Sequence, residues 1–139
     1  MARTVREVMT ENPVTLQAST TLVEAARRMR DDDIGDVLVM KDGELCGIVT
    51  DRDITVRATA EGKDANRVTL GEICSQELVT IPPDHPISEG VSLMRKRALR
   101  RLPVVDGKKP IGIVSIGDLA VERDPKSVLA SISAAEPNP

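Results

Sequence analysis

A hydroxyl residue followed three positions later by an aspartate occurs twice in this sequence, as Thr50–Asp53 and Ser115–Asp118. Each pair follows a β-rich run, so we expect it at the turn from a strand into a helix. There the carboxylate can accept hydrogen bonds from both vicinal hydroxyls of a ribose, and bonds to a charged acceptor are the stronger kind. The hydroxyl can donate to ribose or phosphate, and the helix N-terminus favours an anion. The same spacing also suits a plain helix cap, and this alternative stays open.

The two pairs belong to an internal repeat with a constant offset of 65 residues. The match is densest where Gly47-Ile48-Val49 aligns with Gly112-Ile113-Val114. Such self-similarity decides the architecture, because each copy is one supersecondary unit.

Each copy has the pattern of a β-α-β-β-α unit preceded by a short helix. The spacings Thr4…Glu7 and Thr69…Glu72 predict capping boxes for the short helices. A helix of about ten residues follows in each copy, and Ser19 and Asp84 are the expected N-caps. Two β-rich runs joined by Asp-Gly then predict a hairpin.

The repeat also predicts the domain boundaries. We expect the first copy at 4–58, a polar linker at 59–67, the second copy at 68–123 and a tail at 124–139. A single copy has too few elements to close a core. The expected fold is therefore α/β (α+β), with two copies packed through their sheets in pseudo-two-fold symmetry.

The composition narrows the class of function. The 139 residues include no Phe, Tyr or Trp, which removes the usual aromatic platform for single-stranded nucleic acid. The net charge is −3 and no apolar run approaches the roughly 20 residues of a membrane span, so neither nucleic acid nor a membrane is an expected partner.

The cysteines and the single histidine indicate neither an enzyme nor a metal site. Cys46 and Cys74 lie far apart in the sequence without a CxxC motif. We expect a reducing cytoplasm and two buried small residues, with redox or metal roles as the alternative. His85 is the only histidine and is expected to lack a Cys or Glu partner at ligand spacing, so no metal ligand is predicted. A single histidine offers no nucleophile–base pair, so no catalytic residue is predicted, although Ser-Lys or carboxylate schemes stay open.

The repeated motif resembles that of the CBS (cystathionine-β-synthase) domain family. Gly-hydrophobic-Val-Thr/Ser-x-x-Asp appears as Gly47–Asp53 and Gly112–Asp118, and Arg101–Asp106 is similar to the second-strand signature of the family. The resemblance covers roughly residues 4–123 and identifies a stand-alone tandem pair, a Bateman module. It implies a regulatory ligand containing adenosine (AMP, ADP, ATP or S-adenosylmethionine) and no required cofactor. It also implies a homodimer that regulates an unidentified partner protein in trans.

The resemblance further implies which positions bind the ligand. They are the adenine-facing segments, the starts of the second strands and the two motifs: Thr15, Leu16, Asp36, Val37, Thr50, Arg52, Asp53, Thr80, Ile81, Pro82, Arg100, Arg101, Leu102, Pro103, Ser115, Ile116 and Asp118. Arg101 suits a phosphate, whereas its counterpart Asp36 would repel one, with Arg52 as partial compensation. We therefore predict clefts with different ligand preferences, the second being the better phosphate site.

The basic cluster Arg95–Arg101 has three interpretations. It is first a solvated helix end, then a source of phosphate ligands, and last a nucleic-acid contact. Asp31–Asp33 takes the equivalent place in the first copy, and the opposite charges suit a homodimer in which unlike copies face each other. Two other functions stay open: a structural or stress-associated homodimer without nucleotide, and a nucleic-acid-binding accessory protein.

Overall fold

The computed structural model describes residues 3–74 and 78–123, together with positions 132 and 135. These residues form a mixed α+β fold with two three-stranded sheets, which confirms the predicted fold class. The elements of the first copy are α1 (Val5–Val8), β1 (Thr10–Glu11), β2 (Thr15–Gln17), α2 (Leu22–Asp32), β3 (Asp36–Lys41), β4 (Glu44–Thr50) and α3 (Asp51–Ile54), which continues into a π-helical turn (Thr55–Thr59). The second copy contributes α4 (Leu70–Ile73), α5 (Ile87–Arg97), β5 (Arg101–Asp106), β6 (Lys109–Ser115) and α6 (Ile116–Arg123).

The chain divides into two compact units that differ from the two sequence copies. The inner unit is Pro13–Leu78, and the outer unit joins the described residues of Met1–Asn12 to those of Val79–Pro139. Helix α1 therefore belongs with the strands of the second copy, and α4 belongs with those of the first.

Hydrogen bonds of the short helices account for this exchange. In the outer unit, Val5 N donates to His85 O (2.9 Å) and Arg6 N donates to Pro83 O (3.0 Å). In the inner unit, Leu70 N donates to Thr20 O (2.9 Å) and Gly71 N donates to Ala18 O (2.9 Å). The donors of one unit and those of the other differ by 65 positions, and so do the acceptors, but in the opposite direction. Each short helix is therefore bonded at its N-terminus to the other sequence copy in an equivalent way.

The inner sheet has the order β2-β3-β4, with β2 parallel and β4 antiparallel to β3. Its hairpin turn is Asp42-Gly43, where both residues have positive φ, as a two-residue turn requires. Helix α2 presents Leu22, Ala25 and Met29 to the core of this unit. These residues pack with strand valines and with α4 in a purely aliphatic cluster, where each buried large side chain contributes about 1.5–3 kcal/mol.

The outer sheet has the order β1-β6-β5, and Ile81 adds a parallel bridge to Val104. Strand β1 pairs with β6 through Thr10 and Ile113. This approach requires glycine at position 112, because a Cβ there would lie 2.4 Å from Met9 Sδ and 2.9 Å from Thr10 O. The glycine of the repeated motif therefore has a packing role in the outer unit.

Several local expectations change in the structure. The box Thr69–Glu72 is present, with Thr69 N donating to Glu72 Oε2 (2.6 Å). The Thr4 side chain accepts no capping hydrogen bond, but its hydroxyl donates to Glu7 Oε1 (3.4 Å), and Glu7 Oε2 pairs with Arg3 (2.8 Å). The N-caps of α2 and α5 are Thr21 and Pro86, so the prediction of Ser19 and Asp84 as N-caps was wrong. The predicted tail at 124–139 lies outside the described residues except for positions 132 and 135.

A candidate ligand cleft at the strand-to-helix turn

The turn from β6 into α6 is closed by a reciprocal pair of hydrogen bonds. Asp118 Oδ2 accepts from Ser115 N (2.9 Å), and Ser115 Oγ accepts from Asp118 N (3.1 Å). The turn is also anchored to the residue that precedes β5, because Ile116 N donates to Arg100 O (2.8 Å). Capping thus uses one carboxylate oxygen, and within the described residues no partner pairs with Asp118 Oδ1.

The turn from β4 into α3 repeats this geometry. Asp53 Oδ2 accepts from Thr50 N (2.8 Å), and Thr50 Oγ1 accepts from Asp53 N (3.1 Å). Here the second carboxylate oxygen forms an ion pair, since Arg57 Nε lies 3.7 Å from Asp53 Oδ1. The same guanidinium donates to Ile73 O (3.2 Å), which ties Asp53 to the end of α4.

The motif of the outer unit opens onto a cavity of about 410 Å³. Its lining consists of Arg100, Arg101, Ser115, Ile116, Gly117 and Asp118. Five of these six residues are predicted ligand-binding positions. Two arginines, a serine and an aspartate therefore border one space, and these residue types have the chemistry needed for a phosphate beside a diol.

Arg101 and Asp36, the oppositely charged counterparts in the two copies, occupy equivalent positions in the two sheets. Arg101 lies opposite Ser115 in the outer sheet, and Asp36 lies opposite Thr50 in the inner sheet. An arginine therefore starts the outer β-ladder beside its motif, and an aspartate starts the inner one. Arg52, the predicted compensation, is exposed, and its N–H donates to Asp51 Oδ1 (2.8 Å).

The structure does not bring the remaining predicted residues to this cavity. The side chains of Val37, Ile81, Leu102 and Pro103 are buried and fill the interior. Both backbone groups of Ile81 are already bonded, its N–H to Pro103 O (3.1 Å) and its carbonyl to Val105 N (3.0 Å). Thr80 and Pro82 flank this bridge, and Thr15 and Leu16 lie on β2, which pairs with β3 in the inner unit.

Two residues with evident effects were not predicted. Gly117 lines the cavity next to Asp118. Arg57 contacts Asp53, whereas the position 65 residues later is Glu122. Comparison of the two copies one turn beyond the motif would have revealed this difference in charge.

The two cysteines, distant in sequence, meet in the inner unit. Cys74 is buried in the inner core, and the half-buried Cys46 packs against the same cluster. Burial is the main cause that raises the pKa of Cys74 to about 12, and the neighbouring Cys46 thiol adds to it.

His85 lies before α5 and contacts Glu89 through Nδ1, so the expectation that it lacks a Glu partner was wrong. Within the described ranges no group of three or more His, Cys, Asp or Glu side chains could hold a metal ion. The helices in the described part of the chain are all too short or too polar to cross a bilayer.

Comparison with known proteins shows similarity to proteins that contain CBS domains. The chain is 39% identical over 119 residues to the CBS domain-containing protein YhcV of Bacillus subtilis, covering 86% of this chain and 84% of that protein. The crystal structure of Hypoxic Response Protein I, which has two coordinated zinc ions, superposes with a TM-score of 0.77 at 32% identity, over 86% of this chain and 98% of that one.

A second solved structure contains adenosine compounds. The CBS domain pair of protein MJ0100, in complex with 5′-methylthioadenosine and S-adenosyl-L-methionine, has a TM-score of 0.79 at 26% identity, over 91% of this chain and all (100%) of that one. The CBS domain family itself matches twice, over residues 5–58 and 70–124. The chain therefore belongs to the CBS domain family, as a tandem pair.

Proposed function

We propose that this chain is a regulatory module that binds an adenosine-containing ligand in the cleft of the outer unit and acts in trans on a partner protein. The observation that carries the proposal is the cavity in which Arg100, Arg101 and Asp118 border one space. No catalytic step is proposed, since the single histidine contacts Glu89 and does not line this cavity.

The chemistry of the cleft favours a nucleotide over an uncharged nucleoside. Asp118 Oδ1 accepts from the ribose hydroxyls while Oδ2 keeps its capping bond, so binding does not require the turn to open. The two arginines and the N-terminus of α6 attract the phosphate. We infer that AMP, ADP or ATP binds more tightly than S-adenosylmethionine, whose sulfonium is cationic.

The decisive measurement is calorimetric titration of the protein with AMP, ADP, ATP and S-adenosylmethionine. We expect Asp118→Asn to weaken binding of the preferred nucleotide about ten- to a hundredfold, because it removes charge-assisted hydrogen bonds to ribose. The amide keeps an oxygen that can accept from Ser115 N, so the cap and the melting temperature should change little.

Asp53→Asn is the matched control, because it makes the same change where Arg57 already faces the carboxylate. This variant should leave the affinity of the nucleotide for the cleft of the outer unit unchanged. If no adenosine compound binds at millimolar concentration, the proposal is wrong and the aspartates serve as caps. That outcome would favour the second candidate, a ligand-free structural homodimer, which the two closed capping pairs already suit.

A homodimer is also part of the proposal. Equivalent grooves of about 370 and 350 Å³ lie on the two units. The first is mostly apolar, with Val91, Met94 and Ile116 in its lining, whereas the second combines Met29 and Ile34 with the polar residues Arg30, Asp51 and Thr55. The charge argument for facing unlike units is weakened, since Asp31 and Asp32 are paired with Arg30 and Arg28 of their own helix. Sedimentation equilibrium tests the dimer.

The free thiols of Cys46 and Cys74 are consistent with the cytoplasm as the compartment of this protein.

A further inference from the structure

The thiols of Cys46 and Cys74 form a pair inside the inner unit. Cys74 directly follows α4, and Cys46 lies on β4, two elements that contact each other. Cys74 is a member of the inner core cluster, and the Cys46 side chain packs against the same cluster. The loop that a bond between them would close runs from position 46 to position 74 and lies entirely within this unit.

The two cysteines differ in access to solvent. Cys74 is only 5% exposed and its surroundings keep it protonated, whereas Cys46 is half-buried. Cys46 is the unpaired residue of an irregularity in the β3–β4 ladder, where Val39 pairs with Gly47 and Met40 pairs with Leu45. An oxidant therefore reaches Cys46 first, and the buried Cys74 is the second thiol, which reacts with the oxidised Cys46.

The outer unit shows that the fold does not need thiols at these positions. The equivalents of Cys46 and Cys74, 65 residues away in the repeat, are Ile111 and Met9. Both are partly buried and pack against the outer core. Two apolar side chains thus fill the same place in the same fold, so packing alone does not account for a cysteine pair.

We propose that Cys46 and Cys74 are a peroxide-responsive site that closes to a reversible intramolecular disulfide. The Cys46 sulfur attacks the peroxide and an S–O bond forms as the O–O bond breaks. The thiol proton passes to the leaving hydroxide, so that Cys46 sulfenic acid and one water result. The Cys74 sulfur then attacks the Cys46 sulfur, the S–O bond breaks, and hydroxide leaves with the Cys74 proton as a second water. Two thiols lose two electrons and one hydrogen peroxide is reduced to two waters. A low-molecular-weight thiol returns the pair to the reduced state.

The experiment uses the full chain and stoichiometric hydrogen peroxide. We expect the intact mass to fall by about 2 Da and a tryptic digest to contain the Cys46 peptide joined to the Cys74 peptide. Closing this loop should raise the melting temperature by roughly 10 °C, and dithiothreitol should reverse both changes.

The matched control is the double variant Cys46→Ile/Cys74→Met, which copies the pair found in the outer unit. It should fold and show neither the mass loss nor the rise in melting temperature. Cys74→Ala should instead accumulate oxygen adducts on Cys46. Wild-type protein that gains only oxygen adducts, or that forms only disulfides between chains, would overturn the proposal.

Discussion

At the scale of single residues, the same motif acquires different properties from its surroundings. Asp53 and Asp118 make equivalent capping bonds, yet in the part of the chain that the structure describes only Asp53 forms an ion pair with an arginine, at 3.7 Å. Cys74 differs from its equivalent Met9 in being titratable, and burial shifts its pKa far upward. These differences arise from side chains outside the repeated motif, so the motif predicts the cap but not the charge around it.

The pKa of Cys74 leads to a prediction for stability at high pH. The unfolded thiol ionises near pH 9, whereas the folded thiol keeps its proton until about pH 12. Between these values the folded state binds more protons, so this contribution to stability falls as pH rises, by at most about 1.4 kcal/mol per pH unit. Urea unfolding of reduced protein at pH 8, 9 and 10 should show the extra loss in wild type and not in Cys74→Met. Equal slopes would contradict it.

At the scale of elements, the sequence pattern was strongest for the strands, the hairpins and the two long helices. The repeat placed both hairpins and both long helices, because alternation and helical periodicity are local signals. Strand β1 was not predicted, and the second copy has only an isolated bridge at Ile81 where the first copy has β2. The repeat also identified a glycine in each motif, but it did not predict that Gly112 allows the close approach of β1 to β6 in the outer sheet. That task follows from β1 and Met9, which reach the glycine only in the folded unit.

Gly112→Ala should therefore destabilise the outer unit. The new methyl group would overlap Met9 Sδ and Thr10 O, and overpacking of this kind costs about 1–3 kcal/mol. Gly90→Ala is the matched control, because its Cβ would meet nothing closer than 3.7 Å in the middle of α5, and alanine favours a helix by up to about 1 kcal/mol. Thermal melts should move in opposite directions for the two variants; a tolerated Gly112→Ala would show that β1 is not held against β6.

At the scale of the whole molecule, the units cross the boundaries of the sequence copies. Val5 is fully buried in the core of the outer unit, although it precedes the whole inner unit in the chain. Removing the first residues should thus damage the unit formed mainly by the second copy. This arrangement also means that a fragment cut at the copy boundaries would contain neither compact unit intact.

Val5→Ala tests this exchange by the position of its effect. Loss of the buried methyl groups should cost about 2 kcal/mol. Amide hydrogen exchange should accelerate in β5 and β6 of the outer unit, while β3 and β4 are much less affected. The opposite distribution would show that α1 packs on its own copy. Val56→Ala, at a side chain that is 41% exposed, controls for the substitution itself.

The sequence by itself determined the repeat, the α+β class, the family and the residues of the two strand-to-helix turns. These features depend on neighbours within a few positions or on a constant offset, and both are readable along the chain. Tertiary structure alone decided that α1 and α4 change places, that Cys46 meets Cys74, and that Arg57 faces Asp53. Short helices carry too few residues to specify one of two similar sheets, and contacts between distant residues leave no periodic trace. The Thr50–Asp53 and Ser115–Asp118 pairs thus look alike in sequence, and the fold gives them different electrostatic surroundings.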